Sequence, residues 1–324
     1  MSNTPKDTTA KTNGGTTEND TVIGFPMPDD NVVQTFQLDA SLVRGRVLRL
    51  GSVLDEILDA HNYPAPVDQL VAETVSLALI LSSMLKYDGI FTLQIQSEGP
   101  IRMIVADIIS HGEVRACASF DEELIKSRTD WTFAELLGDG YLAFTVDQGE
   151  DTDRYQGIVQ LSATSLQESV AHYFLQSEQI RTMLKLAVAK QDDRWRAGAL
   201  MVQTMPPDAK TIQNEINDAF EEDWSRTSML LETVKDEELL DQRLHENTLL
   251  MRLFHEEGVR VYTPLTVRKG CRCSREKLSS VLAMMSEEDR RDMITDGKVI
   301  LTCEFCNTEY MFTEDDVLAP NTDA

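Results

Sequence analysis

Phe91-Thr-Leu-Gln-Ile-Gln-Ser-Glu-Gly-Pro-Ile-Arg-Met-Ile-Val-Ala-Asp-Ile-Ile-Ser-His-Gly-Glu-Val-Arg-Ala-Cys-Ala-Ser-Phe120 decides the fold class. Apolar side chains recur with period two in Phe91–Gln96, and Ser97-Glu-Gly-Pro100 carries turn residues. Ile101–Ile109 and Val114–Phe120 flank a second short turn, Ser110-His-Gly-Glu113. Short turns join antiparallel neighbours, whereas parallel strands need a crossover of a dozen residues or more. The segment therefore predicts three consecutive antiparallel strands, with Cys117 as a strand residue of the third.

Outward from this meander, Tyr141–Val146 and Tyr155–Ser162 read as strands, followed by a helix opened by Ser165-Leu-Gln-Glu168. In that box Ser and Glu satisfy each other's free backbone donors, and Leu166, Val170, Tyr173 and Phe174 form the buried stripe. Thr182–Lys190 and Trp195–Met205 are two more strands around the charged turn Gln191-Asp-Asp-Arg194. Helices are expected at Ser52–Ala60 and Val67–Leu85. Together these predict an α+β fold: a mainly antiparallel sheet domain with packed helices over residues 31–214.

Residues 1–30 hold seven Thr and only six apolar residues, too few to bury, and are expected to form a disordered tail. The chain of 324 residues carries a formal charge of −25. That field opposes phosphate backbones and anionic lipid, so neither nucleic acid nor membrane is an expected partner. The longest uncharged apolar run, Thr74–Leu85, is too short to span a bilayer, and the N-terminus lacks a basic start followed by an apolar stretch. A cytoplasmic protein is expected.

From 215 to 258 the character changes. Thirteen acidic residues face four basic ones, yet apolar stripes recur at helical spacing: Phe220, Trp224, Leu231 and Val234, then Leu249, Leu250, Leu253 and Phe254 behind an Asn247 cap. Short helices so rich in like charge are held by docking. Residues 215–262 are read as an acidic helical linker, either a solvated surface pair of helices or an element able to undock.

Four of the five cysteines crowd into a C-terminal domain, residues 263–324. Cys271-Arg-Cys273 and Cys303-Glu-Phe-Cys306 are two close pairs separated by room for a small helical insert, which suits four thiolates on one tetrahedral Zn²⁺. Ser274 is expected to cap a helix running to about Met285; Ser286-Glu-Glu-Asp289 starts another, which Gly297 ends. Lys298–Thr302 and Glu309–Phe312 read as a hairpin. Four cysteines leave no open position for water, so a structural or redox-active metal is favoured over hydrolysis. Residues two apart in extended chain have Cα atoms about 6 to 7 Å apart, so a Cys271–Cys273 bridge is feasible but strained, while Cys303 and Cys306 pair more easily. Arg268, Lys269, Arg272, Arg275 and Lys277 around the first pair favour thiolates. A zinc knuckle with incidental basic neighbours remains open on spacing alone.

The chain resembles the heat-shock protein 33 family. The resemblance rests on Arg154-Tyr-Gln-Gly-Ile-Val-Gln-Leu161, His172-Tyr-Phe-Leu-Gln-Ser-Glu-Gln179, Gly198-Ala-Leu-Met-Val-Gln-Thr-Met-Pro206, Leu253-Phe-His-Glu-Glu257, Cys271-Arg-Cys-Ser-Arg-Glu276 and Cys303-Glu-Phe-Cys306 with Tyr310. It implies an ATP-independent holdase chaperone for unfolding client proteins. It also implies one zinc per reduced chain on Cys271, Cys273, Cys303 and Cys306, disulfides Cys271–Cys273 and Cys303–Cys306 on oxidation, and an oxidised homodimer. Neither the Thr-rich tail nor Cys117 has a counterpart in the pattern.

Rival readings are a thiol-disulfide oxidoreductase, suggested by Cys303-Glu-Phe-Cys306, and a constitutive protein-binding module with purely structural zinc. For catalysis, Ser83-Met-Leu-Lys86 and Ser274-Arg-Glu-Lys277 match S-x-x-K without its partner motifs, and the five His residues are scattered. A nucleic-acid zinc ribbon is disfavoured by 12 acidic against 8 basic residues in 263–324.

Overall fold

Two six-stranded sheets organise the chain, seen in a computed structural model that describes residues 30–149, 154–162, 164–205 and 214–318. The expected tail lies outside the described residues, except for Asp30, whose carboxylate pairs with Arg196. The first sheet is built from β1 (Val32–Leu38), β2 (Val43–Leu50), β8 (Thr182–Gln191) and β9 (Arg194–Thr204), with β10 (Val259–Val261) and β11 (Leu265–Thr266) both on the free side of β1. The second contains β3 (Ile90–Ser97), β4 (Ile101–Ile109), β5 (Glu113–Phe120), β6 (Gly140–Asp147) and β7 (Tyr155–Gln160), in the order β5-β4-β3-β6-β7, with β12 (Arg268–Lys269) on the β5 edge. All these pairings are antiparallel except the last, in which Arg268 and Lys269 run parallel to Glu113 and Val114.

Helices α1 (Ser52–Leu58) and α2 (Ala65–Ser82) follow β2, and α2 packs against strands of both sheets. By length and composition α2 could cross a bilayer, but 72% of it is buried inside the protein. A helix apolar on every side belongs in such a core. Its hydroxyls are satisfied locally: Thr74 and Ser76 donate to carbonyls four residues back, both at 2.7 Å. Ser82 and Ser83 donate to Leu79 and Ile80. The helix ends there, three residues before the predicted Leu85. Its cluster includes Leu48 and Leu50 of the first sheet, Phe91 and Ile104 of the second, and Leu166, Val170, Tyr173 and Phe174 of α5 (Leu166–Ser177), the stripe expected behind the Ser165 cap.

Between β5 and β6 lie two short helices that the sequence reading did not place, α3 (Glu122–Lys126) and α4 (Phe133–Leu137). Asp121 caps the first, and Thr132 forms a capping box with Glu135 in the second.

The acidic segment contributes α6 (Asn214–Glu232), α7 (Asp236–Leu240) and α8 (Glu246–Phe254). It lies on the outer face of the first sheet. Leu231, Val234, Leu239, Leu249, Leu250 and Phe254, each 2% exposed or less, pack on Phe36, Leu38, Val43, Val47, Leu200 and Val202, the strand positions that alternate away from the main core. Two glycines permit the approach. A Cβ on Gly198 would meet the Leu239 carbonyl oxygen at 2.1 Å, and one on Gly45 would meet the Phe36 ring, which stacks on Phe254. Arg49 donates to the Asp241 carbonyl at 2.6 Å and Lys185 to the Glu232 carbonyl at 2.8 Å.

Three details differ from expectation. His245, not Asn247, caps α8: its Nδ1 accepts from the Asn247 N–H at 3.1 Å. Phe220 lies outside the apolar cluster, beside the guanidinium of Arg181. The segment ends in a strand rather than a helix, because Val259–Val261 completes the edge of β1.

Candidate metal centre

Beyond β12 the chain forms a small module of α9 (Arg275–Met284), α10 (Glu287–Asp292), the hairpin β13 (Lys298–Thr302) and β14 (Glu309–Thr313), and α11 (Glu314–Leu318). Ser274 and Ser286 cap α9 and α10 as expected, each accepting from the N–H three residues on. α10 ends at Asp292, before Gly297: Asp296 and Gly297, with φ of 50° and 73°, instead form the turn that opens β13. The module buries four apolar side chains, Leu282, Val299, Phe312 and Val317.

The cap positions Cys271 and Cys273 just before α9, and the β13–β14 turn carries Cys303 and Cys306. The four sulfur atoms lie within 4.8 Å of one another. Cys271 Sγ is 3.7 Å from Cys303 Sγ and Cys273 Sγ is 3.4 Å from Cys306 Sγ, so these two contacts cross between the pairs. A tetrahedral zinc with bonds of about 2.3 Å separates its sulfurs by about 3.8 Å. The cluster matches that spacing. Around it, the Tyr310 hydroxyl donates to Cys273 Sγ at 3.2 Å, and Thr308 Oγ1 lies 3.2 Å from Cys306 Sγ. Burial by itself would raise the Cys306 thiol, but hydrogen bonds from Thr308 and the neighbouring sulfurs hold it down at about 6. Burial takes Cys273 the other way, to about 12.

Four of the five basic residues near the first pair are engaged elsewhere, and the fifth, Lys277, donates to the Arg272 carbonyl at 2.9 Å. Arg268 pairs with Glu113 (2.8 Å), Arg272 with Asp107 (2.8 Å) and Arg275 with Asp316 (2.9 Å), while Lys269 donates to the Glu56 carbonyl (2.6 Å). The cation beside the thiols comes from the core. Arg115 places Nη1 4.0 Å from Cys271 Sγ, stacks its guanidinium 3.7 Å from the Phe305 ring centre, and shares buried Asp107 with Arg272. His61 adds a contact of 3.2 Å to the Phe305 carbonyl. Neither Arg115 nor Asp107 was legible as part of the site, because only the β12–β5 pairing brings strands β4 and β5 to the cysteines.

Cys117 is 6% exposed in β5 and takes no part in the cluster. Burial, with Glu304 and Asp107 nearby, pushes its thiol up to about 12. Ser274, of the second S-x-x-K match, serves as a helix cap, and His172 and His255 are exposed.

The fold and site together define an α+β protein with an appended four-cysteine module able to hold a metal ion and a helical segment laid across its first sheet. Residues 31–313 match the family model described as Hsp33 protein, and the chain belongs to that family. It is 38% identical over 290 residues to the 33 kDa chaperonin of Caulobacter vibrioides, covering 87% of this chain and 94% of that one. It is 35% identical over 293 residues to the 33 kDa chaperonin of Pseudomonas fluorescens, covering 90% and 93%. The crystal structure of the 33 kDa chaperonin from Thermotoga maritima superposes with a TM-score of 0.74 at 23% identity, covering 89% of this chain and 97% of that one.

Proposed function

We propose that the protein is an ATP-independent, redox-regulated holdase of the cytoplasm that takes up unfolding client proteins once its cysteines are oxidised. The observation that carries the reading is the apolar face of α6–α8 covering an equally apolar sheet face, in a chain segment that leads directly into the four-cysteine module. In this reading residues 31–214 are the chaperone core, 215–262 a releasable linker and 263–324 the switch. Cys271, Cys273, Cys303 and Cys306 hold one zinc in the reduced state. Zinc, when bound, supplies a cross-link between the two pairs and keeps the sulfurs as thiolates.

A peroxide supplies the oxidising equivalents. Each pair of thiolates gives two electrons to one hydrogen peroxide, which takes two protons from solvent and leaves as two waters, and one disulfide forms. Cys303–Cys306 closes first and the tighter Cys271–Cys273 second, the pairing that family resemblance implies. With its ligands gone the module, which buries four apolar side chains, loses its fold. The linker then peels from the first sheet and opens both apolar faces to clients. The oxidised form is proposed to dimerise through surface so exposed.

The test compares reduced zinc-loaded protein with peroxide-treated protein in suppressing aggregation of a thermally unfolding client, without ATP. Disulfides in the same samples are mapped after alkylation. Activity should rise with the second disulfide and fall when reductant and zinc are restored. Equal suppression by the reduced form would replace this reading with a constitutive binding module, and dominant Cys271–Cys303 or Cys273–Cys306 bridges would overturn the pairing.

A further inference from the structure

Arg44 and Arg46 stand two residues apart on β2 and therefore share the inner face of the first sheet, the face that carries Leu48 and Leu50 into the core. Neither has a carboxylate partner among the described residues. Arg46 is 6% exposed, yet its one hydrogen bond is a 3.5 Å contact from Nη2 to the Ser83 carbonyl at the end of α2. Its Nε and Nη1 and the Nε of Arg44 are buried without any partner. Burial and then the charge of Arg44 bring Arg46 down to about 10, so it is still a cation at neutral pH. A guanidinium taken out of water beside a half-buried second one, with no counter-charge, is expensive to keep.

Arg44 lines an open cleft of about 220 Å³ beside the end of α2. Its other walls include Leu81, Met84, Phe91, Phe144 and Phe174. The wall holds one carboxylate, Glu178, and that group is occupied: it accepts from the hydroxyls of Tyr155 at 2.7 Å and Tyr173 at 2.8 Å. It forms no ion pair with Arg44 or Arg46. The cleft thus joins one guanidinium without a carboxylate partner, that of Arg44, to apolar and aromatic walls.

We propose that this cleft binds a small amphipathic carboxylate of fatty-acid type, its head on Arg44, next to buried Arg46, and its chain among Leu81, Met84, Phe91, Phe144 and Phe174. The head supplies the missing counter-charge at Arg44, whose own charge bears on Arg46, while the chain displaces water from aromatic and aliphatic walls. The site lies on the inner side of the first sheet, away from the linker, and the proposal does not depend on the redox reading.

The test titrates reduced, zinc-loaded full-length protein with decanoate below its micellar concentration, by isothermal calorimetry. Saturable one-to-one binding is expected, at least about tenfold weaker for Arg44→Gln and for 1-decanol in place of decanoate, as loss of a charge-assisted hydrogen bond implies. Met84→Trp, which fills the apolar middle and leaves both arginines, should also abolish it. Absence of saturable binding overturns the proposal. So does equal affinity for decanol, or equal affinity of Arg44→Gln or Met84→Trp for decanoate, either of which would indicate nonspecific apolar adsorption. If Arg44→Gln fails to fold, the decanoate-to-decanol ratio and Met84→Trp still decide.

Discussion

The two-sheet core and the cysteine module solve the same problem with different means. In the core, α2 lies between two six-stranded sheets and most of its length is out of water, so burial alone holds the elements together. The module spans a comparable variety of elements, three helices and a hairpin, around four buried apolar side chains. A unit of that size needs a staple. One region is stable by what it excludes; in the proposed function the other is stable by what it ligates, and only it would be dismantled by a chemical signal that leaves the first intact.

The harshest way to break that contrast is to remove the metal ligands. A strong chelator on reduced protein, or Cys303→Ser, should abolish amide protection in β13, β14 and α9 while β3 and β4 keep theirs, since structural zinc contributes roughly 10–16 kcal/mol to small modules. Cys117→Ser should leave zinc content unchanged. A module that stays protected without metal would have a self-sufficient core, and the contrast would collapse.

A middle-sized effect is expected at Gly198, where linker and core meet backbone to backbone. Its Cβ in Gly198→Ala would sit 2.1 Å from the Leu239 oxygen, and neither partner is a flexible side-chain tip. The substitution should cost about 1 to 3 kcal/mol, felt as faster exchange in α7 and α8 with the zinc content unchanged. Unaltered exchange in α7 would show that the linker's docking does not depend on this contact.

The smallest effect sharpens the core side. Burial raises the Asp68 carboxyl at the start of α2 to about 7, with Lys190 opposing, from an ordinary value near 3.8. The folded state therefore holds a proton that the unfolded chain has lost between those two values. Stability from this group is complete below about pH 4 and falls as pH rises toward 7. Asp68→Asn should flatten that decline in melting temperature across pH 4 to 7. Because Asp68 is only half-buried, the change should be a degree or two. A variant with the wild-type slope would place the pH dependence elsewhere.

How far these features were legible in the sequence depends on the range of the interaction that fixes them. The meander from Phe91 to Phe120, the Ser165, Ser274 and Ser286 caps and the four-cysteine spacing are local, and each is written within a few residues. Thr132-Phe-Ala-Glu135 was equally local, a capping box whose helix is too short to show periodicity. The α8 start was displaced by two residues because His245, an unusual capping residue, took the place expected of Asn247. What the chain alone could not reveal is the company of the cysteines: Arg115 and Asp107 reach the site only through pairing between segments some 155 residues apart. Gly198 was equally silent, because the Leu239 backbone pressed against it comes from an element far along the chain.

The strands β10, β11 and β12 carry a consequence for the order in which the molecule is assembled. They close the edge of β1 and then the edge of β5, and the Gln34 side chain reaches the Tyr262 carbonyl across 228 residues. Closing so long a loop is costly in chain entropy and comes late in folding. During synthesis the core leaves the ribosome with both strand edges bare, and they remain so until the acidic segment and the residues just after it have followed. The newborn chain thus passes through a period as an unguarded, sticky intermediate. Pulse-labelled amides of Val259–Val261 should accordingly gain protection after those of β3 and β4.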